Sequence, residues 1–277
     1  MKIQKNISII LAIILSIFLI SPILLVVLFA FTDRAIASFP IYNLSFKWWI
    51  EIFNHRQFIS CLYNSIIIGI SVAIVSSITG TMAAIGLSKI PNKSASLILA
   101  IISIPIMLPP LVLGITLLTF YVSIGMKLGL HTVIISHLLF TQPFVILIVY
   151  SRMINFDYSV IDSARDLGAS PLKAFLTITI PIIQPVVIGA SLLAVALSVD
   201  DFIITFFTIG AGNTLPTLVF GMMRTSLKPE VNAIGTIILF MTISSSSPLR
   251  RLFSHRRCVS LILKVNLRFV VSSGSWA

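Results

Sequence analysis

Charge is what this sequence has least of. Only 10% of its 277 residues are Asp, Glu, Lys or Arg, where a soluble domain carries roughly 25%. Acids are the scarcer half, eight against nineteen basic residues, and none follows Glu230. Cysteine is limited to Cys61 and Cys258; far apart and without metal-like spacing, they suggest neither a disulfide framework nor a zinc site. No G-x-x-x-x-G-K-[ST] loop occurs, and the "LGAS" of Leu167–Ser170 has the wrong glycine spacing and no lysine, so this chain does not cradle nucleotide phosphates itself. No Ser/His/Asp or Cys/His spacing suggests catalysis. His131 and His137, six apart, do not share a helical face, which argues against a metal role. There is neither an internal repeat nor a convincing low-complexity segment. The chain is expected to be no enzyme, and any energy it uses comes from another chain.

What is there is apolar, 57% of the sequence. It falls in blocks free of Asp, Glu, Lys and Arg: Ile7–Phe31, Leu62–Leu87, Leu97–Val122, Thr132–Tyr150 and Ile182–Val199. Each is about as long as the ~20 residues a helix needs to cross the hydrocarbon core. In lipid the backbone must pair with itself, so the blocks predict transmembrane helices. Buried helices of a soluble core would need polar faces at 3.6 spacing, and these have none. The apolar run after Met1-Lys2-Ile3-Gln4-Lys5 is longer than the 7–15 residues of a signal-peptide core, so the first block reads as a retained span. The short first flank, with two lysines and no acid, places the N-terminus in the cytoplasm. Over the whole chain the vote is seven basic residues inside, Arg152, Arg165 and Lys173 among them, against six outside, including Arg224 and Lys228.

A sixth apolar run, VNAIGTIILFMTI, starts at Val231 and stops at four serines, Pro248, Arg250 and Arg251. Thirteen residues do not cross a bilayer as a straight helix. Residues 244–277 then add Arg250, Arg251, Arg256, Arg257, Lys264 and Arg268. One reading is a polybasic tail for anionic headgroups. The other, favoured by the abrupt change inside an unfinished span, is a non-native or frameshifted tail. The basic balance therefore implies no nucleic-acid partner.

"DSARDLGASPLKAFLTITIP", Asp162–Pro181, is a polar connector between two apolar blocks. Ser159 and Asp162 match S-x-x-D, a capping-box-like helix start. Val160, Ile161, Ala164 and Leu167 are expected on one helical face. Gly168 sits where a left-handed residue ends a helix, and Ser170-Pro171 restarts one. Pro181 marks the start of the next membrane block. The expected unit is helix, bend, helix, with small residues (Ser163, Ala164, Gly168) leaving room for a docking partner. An interfacial helix on headgroups is the alternative, weakened by Asp157, Asp162 and Asp166 against Arg165 and Lys173.

This stretch resembles the EAA loop of ATP-binding-cassette importer permeases: E-A-A, three residues, G, nine residues, I-x-L-P. The matching positions are Asp162, Ser163, Ala164, Gly168, Ile178, Ile180 and Pro181, with Asp for Glu, Ser for Ala and Ile for Leu as departures. "ALSVDDFIITFFTIGAGNTLPTLVFGMMRTSLKPEVNAIGT" (Ala196–Thr236) and "YNSIIIGISVAI" (Tyr63–Ile74) resemble the spermidine/putrescine permeases, the second permease subunit most, over roughly residues 7–243. The resemblance implies an all-α polytopic protein with the six-span type I importer permease fold, in a bacterial inner membrane. It implies a coupling loop at 157–181 docked on a cytoplasmic ATPase dimer that binds the ATP, so no cofactor is held here. The other implied partners are a homologous second permease, a periplasmic or lipid-anchored substrate-binding protein and membrane lipid. Transport would be polyamine uptake by alternating access. The alternatives are an importer of another small solute (phosphonate, ferric iron or thiamine) and a non-transport assembly protein.

Asp200 and Asp201 follow an apolar run. Carboxylates at such depth cost of order 2.5–3.5 kcal/mol at a span centre, so they tend to face a cavity or a partner. They read either as a cation-attracting site on the pathway or as interfacial residues paired with Arg224 or Lys228; the resemblance favours Asp201. Pro105, Pro109 and Pro110 in one span, with Gln142-Pro143 and Gln184-Pro185 in two others, suggest faces covered by protein or a cavity. Phe120, Tyr121, Trp48 and Trp49 read as interfacial aromatics; the outer loop carrying the tryptophans is alternatively a contact for a substrate-delivering protein.

Overall fold

The computed structural model describes residues 2–34, 38–41, 43–225 and 229–253. Its helices are α1 (Lys2–Phe29), α2 (Lys47–Asn54), α3 (Arg56–Leu87), α4 (Asn92–Ile102), α5 (Ile104–Met107), α6 (Pro110–Ser123) and α7 (Leu130–Met153). There follow α8 (Ser159–Asp166), α9 (Pro171–Ala174), α10 (Ile180–Asp200), α11 (Ile203–Thr208), α12 (Leu215–Thr225) and α13 (Glu230–Phe253). No strand occurs among the described residues. Four stretches are long and apolar enough to span a bilayer: Ile9–Phe29, Arg56–Leu87, Leu130–Met153 and Pro171–Asp200.

The third apolar block is not one helix. It divides into α4, α5 and α6, with a break at Ser103 and another at Leu108-Pro109. The reason is proline: Leu108 is pushed to ψ 138° by the proline after it, and Pro110 takes the first helical position of α6. These prolines start helices instead of interrupting one. Pro143 and Pro185 do lie inside α7 and α10. Pro143 is buried, whereas Gln184 and Pro185 are exposed on the isolated chain.

The sixth apolar run ends at Ile243, but α13 continues through Phe253. Its 24 residues give a helix about 36 Å long at 1.5 Å each. Arg256, Arg257, Lys264 and Arg268 lie outside the described residues, as does Cys258.

The core forms where α3, α7 and α10 pack together. Val72, Ala84, Val133, Val145, Val149, Ile183 and Ala190 are buried there. Close approach depends on missing side chains: a Cβ on Gly80 would stand 2.8 Å from Val145 Cγ1, and one on Gly69 3.1 Å from Val199 Cγ2. Small residues at helix crossings are how membrane helices gain packing where lipid gives no hydrophobic drive. A second cluster joins α2, the start of α3, α12 and α13 through Ile52, Phe58, Leu215 and Ile234. Most of α1 is exposed along its apolar length, which leaves it open to lipid or another chain.

Hydrogen bonds fix which helix ends share a side. At one end, Ser65 Oγ in the first half of α3 accepts from the Leu215 N–H (3.0 Å), and Thr132 Oγ1 at the start of α7 donates to the Thr208 carbonyl (2.7 Å). At the other, Ser88 after α3 bonds the hydroxyl of Tyr158 after α7 (2.8 Å). Two aromatics read as interfacial are buried ties instead. Tyr121, 2% exposed, bonds Ser136 at 2.9 Å; Trp48, 4% exposed, donates to the Thr32 carbonyl at 2.8 Å. Phe120 is exposed and Trp49 packs on Phe31.

Replacing Gly80 by Val overpacks the α3–α7 crossing and is expected to destabilise the chain by about 1–3 kcal/mol. Thermal unfolding in detergent checks this; an unchanged Tm contradicts the tight crossing.

Candidate functional site

The connector after α7 is built from its anchors outward. Phe156 is buried beneath it and stacks with Tyr158 at 5.2 Å, while the Tyr158 hydroxyl holds Ser88. The Asp157 carboxylate accepts from the Ser159 hydroxyl (2.7 Å) and from the Ser159 N–H (3.0 Å). Those two bonds, the hydroxyl first, hold its pKa below the usual carboxylate range. Its folded pKa is depressed, so this support for the start of α8 is present above the unfolded pKa and lost as pH falls through the folded one. The expected capping box is not formed: Ser159 turns back to Asp157, and the Asp162 carboxylate is exposed without a hydrogen bond among the described residues.

Only half of the expected apolar face turns inward. Ile161 packs against the core and Ala164 is half-buried, while Val160 is 42% exposed and Leu167 90% exposed. The helix then ends in a closed bend. Gly168 has φ +89°, its N–H donates to the Arg165 carbonyl (2.8 Å), and the Ala169 N–H donates to the Ala164 carbonyl (3.0 Å). That pair of bonds is a Schellman motif, which uses a left-handed residue that glycine adopts without a Cβ penalty. Space is not the constraint, since a Cβ on Gly168 would meet nothing within 4 Å.

Ser170 restarts the chain as expected, its hydroxyl accepting from the Lys173 N–H at 3.3 Å with Pro171 at the first helical position. From Pro171 the helix does not stop at Pro181. A single π turn over Phe175–Thr179 joins α9 to α10, the Ile180 N–H reaching back to the Phe175 carbonyl. The widened turn comes just before a proline that has no N–H and crowds the preceding carbonyls. Ile178, Ile180 and Pro181 therefore lie within one continuous helix, Pro171–Asp200, while Asp162, Ser163, Ala164 and Gly168 lie on α8 and its bend. Leu167 and Leu172, on either side of the bend, are 90% and 67% exposed.

The opposite end of that helix carries Asp200 and Asp201. Thirty residues at 1.5 Å put it about 45 Å from the bend, so the two candidate sites do not meet. Asp200 is exposed and makes no hydrogen bond or ion pair among the described residues. Asp201 is 12% exposed, its Oδ2 accepting from the Thr205 N–H (2.9 Å) and hydroxyl (3.0 Å), with His137 Nε2 3.3 Å away. Neither pairs with Arg224, which stacks on Phe220 at 4.9 Å; Lys228 lies outside the described residues. Phe220 belongs to an aromatic group with Phe202 and Phe206, ring centroids 4.4–6.0 Å apart.

His137 is the functional candidate that sequence reasoning missed. It lies on α7, 1% exposed, and its ring bonds Ser198 and Thr205. Only its polarity within an apolar block signalled it. His131 is exposed and not part of this group.

The sequence pattern of the family described as binding-protein-dependent transport system inner membrane component matches residues 76–256, more than half of the chain. The chain belongs to this family. The permease is 34% identical over 230 residues to the putrescine transport system permease protein PotI of Escherichia coli K12, covering 80% of this chain and 82% of the relative. It is 29% identical over 203 residues to the spermidine/putrescine transport system permease protein PotC of Haemophilus influenzae, covering 73% and 79%. Among solved structures, a bacterial alginate ABC transporter with its periplasmic protein superposes at TM-score 0.68 and 14% identity, over 90% of this chain and 94% of that one. The inward-facing MetNI methionine ABC transporter superposes at 0.53 and 16%, over 72% and 98%. The fold is thus that of an ABC importer permease, and the chain is a multi-pass membrane subunit of a binding-protein-dependent transporter.

A Val at Gly168 forces a β-branched residue to positive φ and is expected to weaken the bend by about 1–3 kcal/mol. Hydrogen exchange at Leu167–Ser170 should quicken while the global Tm stays put; unaltered exchange contradicts the strain argument.

Proposed function

We propose that this permease imports polyamines, putrescine or spermidine, and that residues 157–181 receive the force of ATP hydrolysis from a separate cytoplasmic ATPase dimer. The observation that carries the reading is the loop. Its EAA-like spacing belongs to a Schellman-closed, solvent-exposed bend that continues directly into the membrane helix α10. Leu167 and Leu172 stand out from the bend with nothing over them on this chain, and burying a leucine gains about 1.5–3 kcal/mol. An ATPase cleft covering them gains that energy and grips the start of a rigid helix. Asp162 and Asp166 add polar contacts at the rim.

In this reading the N-terminus and the bend are cytoplasmic, and Asp200 and Asp201 lie at the outer end of the pathway. A polyamine delivered by a binding protein meets the exposed Asp200 carboxylate, the free Oδ1 of Asp201 and the faces of Phe202, Phe206 and Phe220. Ammonium groups are attracted by both carboxylates and aromatic faces. A second, homologous permease completes the pathway. ATP-driven closure of the ATPases moves the bend, and α10 carries the motion to the outer end, alternating access to the cavity between the subunits. Chemistry at the permease itself is not required. The relatives named for putrescine and for spermidine/putrescine support the substrate class. The family pattern runs to residue 256 and α13 to Phe253, so of the expected tail 244–277 only residues 257–277 are read as outside the permease domain proper; resequencing the 3′ end tests the out-of-frame alternative.

The test is uptake of radiolabelled putrescine and spermidine by proteoliposomes holding both permeases and the ATPase, with the binding protein added. Wild type should accumulate polyamine with ATP inside. Gly168→Val should lose uptake about tenfold or more while ATP hydrolysis persists, and Leu167→Glu should release the ATPase on purification. Wild-type uptake by Gly168→Val sinks the coupling role. No polyamine uptake by the wild type sinks the substrate class.

A further inference from the structure

One buried polar cluster is not used by the coupling loop and was not suggested by any motif. It joins α7, the end of α10 and the start of α11. His137 Nδ1 lies 2.8 Å from Ser198 Oγ; His137 Nε2 lies 2.9 Å from Thr205 Oγ1 and 3.3 Å from Asp201 Oδ2. Thr205 bonds the same Oδ2 through its N–H and its hydroxyl. Two donors of Thr205 thus converge on one carboxylate oxygen with His137 Nε2 beside it, and Oδ1 takes no hydrogen bond among the described residues.

Counting protons assigns the tautomer. With the proton on Nε2, Ser198 donates to Nδ1, the Nε2–H points at Thr205 Oγ1 and Asp201 Oδ2, and the Thr205 hydroxyl passes its proton to Oδ2. Every polar hydrogen of the cluster then has an acceptor, with Oδ1 alone left over. With the proton on Nδ1, the Nε2 lone pair faces the carboxylate and takes the Thr205 proton away from it. A buried network half satisfied in that way is costly, so the Nε2–H form is selected. Ser198 fixes the ring from behind, as the outer partner of a functional histidine does.

We infer that His137 is a positioning residue: it holds Asp201 through Oδ2 and so aims Oδ1 at the substrate amine. The inference rests on the reading of Asp201 as a pathway carboxylate. It explains why a histidine occupies a 1% exposed site on a membrane helix, where an uncompensated polar ring is unfavourable. It also ties α7 to the far end of the helix that the coupling loop moves, so the aim of Asp201 depends on the position of α10.

Two isosteric replacements separate this role from simple filling of space. Gln places its amide N–H near the position of Nε2 and keeps the hold on Asp201. Asn places its amide near Nδ1, keeps Ser198 and loses Asp201. The assay is initial-rate uptake of radiolabelled putrescine and spermidine by the assembled transporter in proteoliposomes, with the amount of inserted permease measured in parallel. His137→Gln should keep KM within about threefold of wild type, and His137→Asn should raise KM about tenfold with Vmax per inserted transporter little changed. His137→Asn combined with Asp201→Asn should be no worse than Asp201→Asn alone, because both remove the same interaction. Equal KM values for the Gln and Asn variants overturn the inference, as does full additivity in the double variant. A wild-type KM for Asp201→Asn overturns the pathway reading itself, and the inference with it. Where His137→Asn inserts poorly, Ser198→Ala replaces it: a ring freed from behind should also raise KM, and an unchanged KM is contrary to the inference.

Discussion

The continuous helix from Pro171 to Asp200 is what the rest of the molecule depends on. In lipid an interrupted backbone leaves polar groups unpaired, so a helix that begins at the loop tends to run unbroken to the far side. Two prolines, Pro181 and Pro185, threaten it. The single π turn over Phe175–Thr179 relieves the first without breaking the chain of hydrogen bonds. The outcome is a rod about 45 Å long, seated among α3, α7 and α13.

The two ends of the rod are held differently, and the difference suits a lever. At the loop end, the Schellman bend and the Tyr158–Ser88 bond fix the shape of the connector, while Leu167 and Leu172 stay exposed for another surface. At the other end the polar groups are turned inward, as Ser198, Asp201 and Thr205 close on His137. Around it the packing is close: Gly69 of α3 gives room to Val199 of the rod, and Gly80 of α3 gives room to Val145 of α7. Packed interfaces of this kind shift between discrete arrangements more readily than they deform, so a push on the bend moves the helix as a body.

Much of this was legible in the residues. Charge-free blocks announced the spans, and Gly168 with Ser170-Pro171 announced the bend, because left-handed glycines and proline starts are local rules that tertiary context seldom overrides. The third block misled, since prolines spaced four and one apart set new helix starts at Ile104 and Pro110 that an apolar average does not show. Trp48, Tyr121 and His137 were harder still. In the sequence Trp48 and Tyr121 read as interfacial and His137 is weighed only as a metal ligand, because their partners lie 11 to 68 residues away. Ser159 and Asp162 had the right spacing for a capping box, yet Asp157 stood nearer and took the hydroxyl.

The most direct test of the account is whether the rod stays rigid while the transporter cycles. Spin labels at Lys173→Cys and Ile188→Cys, in a chain without native cysteines, bracket the π turn and both prolines across fifteen residues, about 22 Å. Pulsed EPR on the assembled transporter should give one distance distribution, the same without nucleotide and with ATP bound. A distribution that splits or shifts with ATP would show the helix bending at the π turn, and force from the loop would not reach Asp200 and Asp201 along α10.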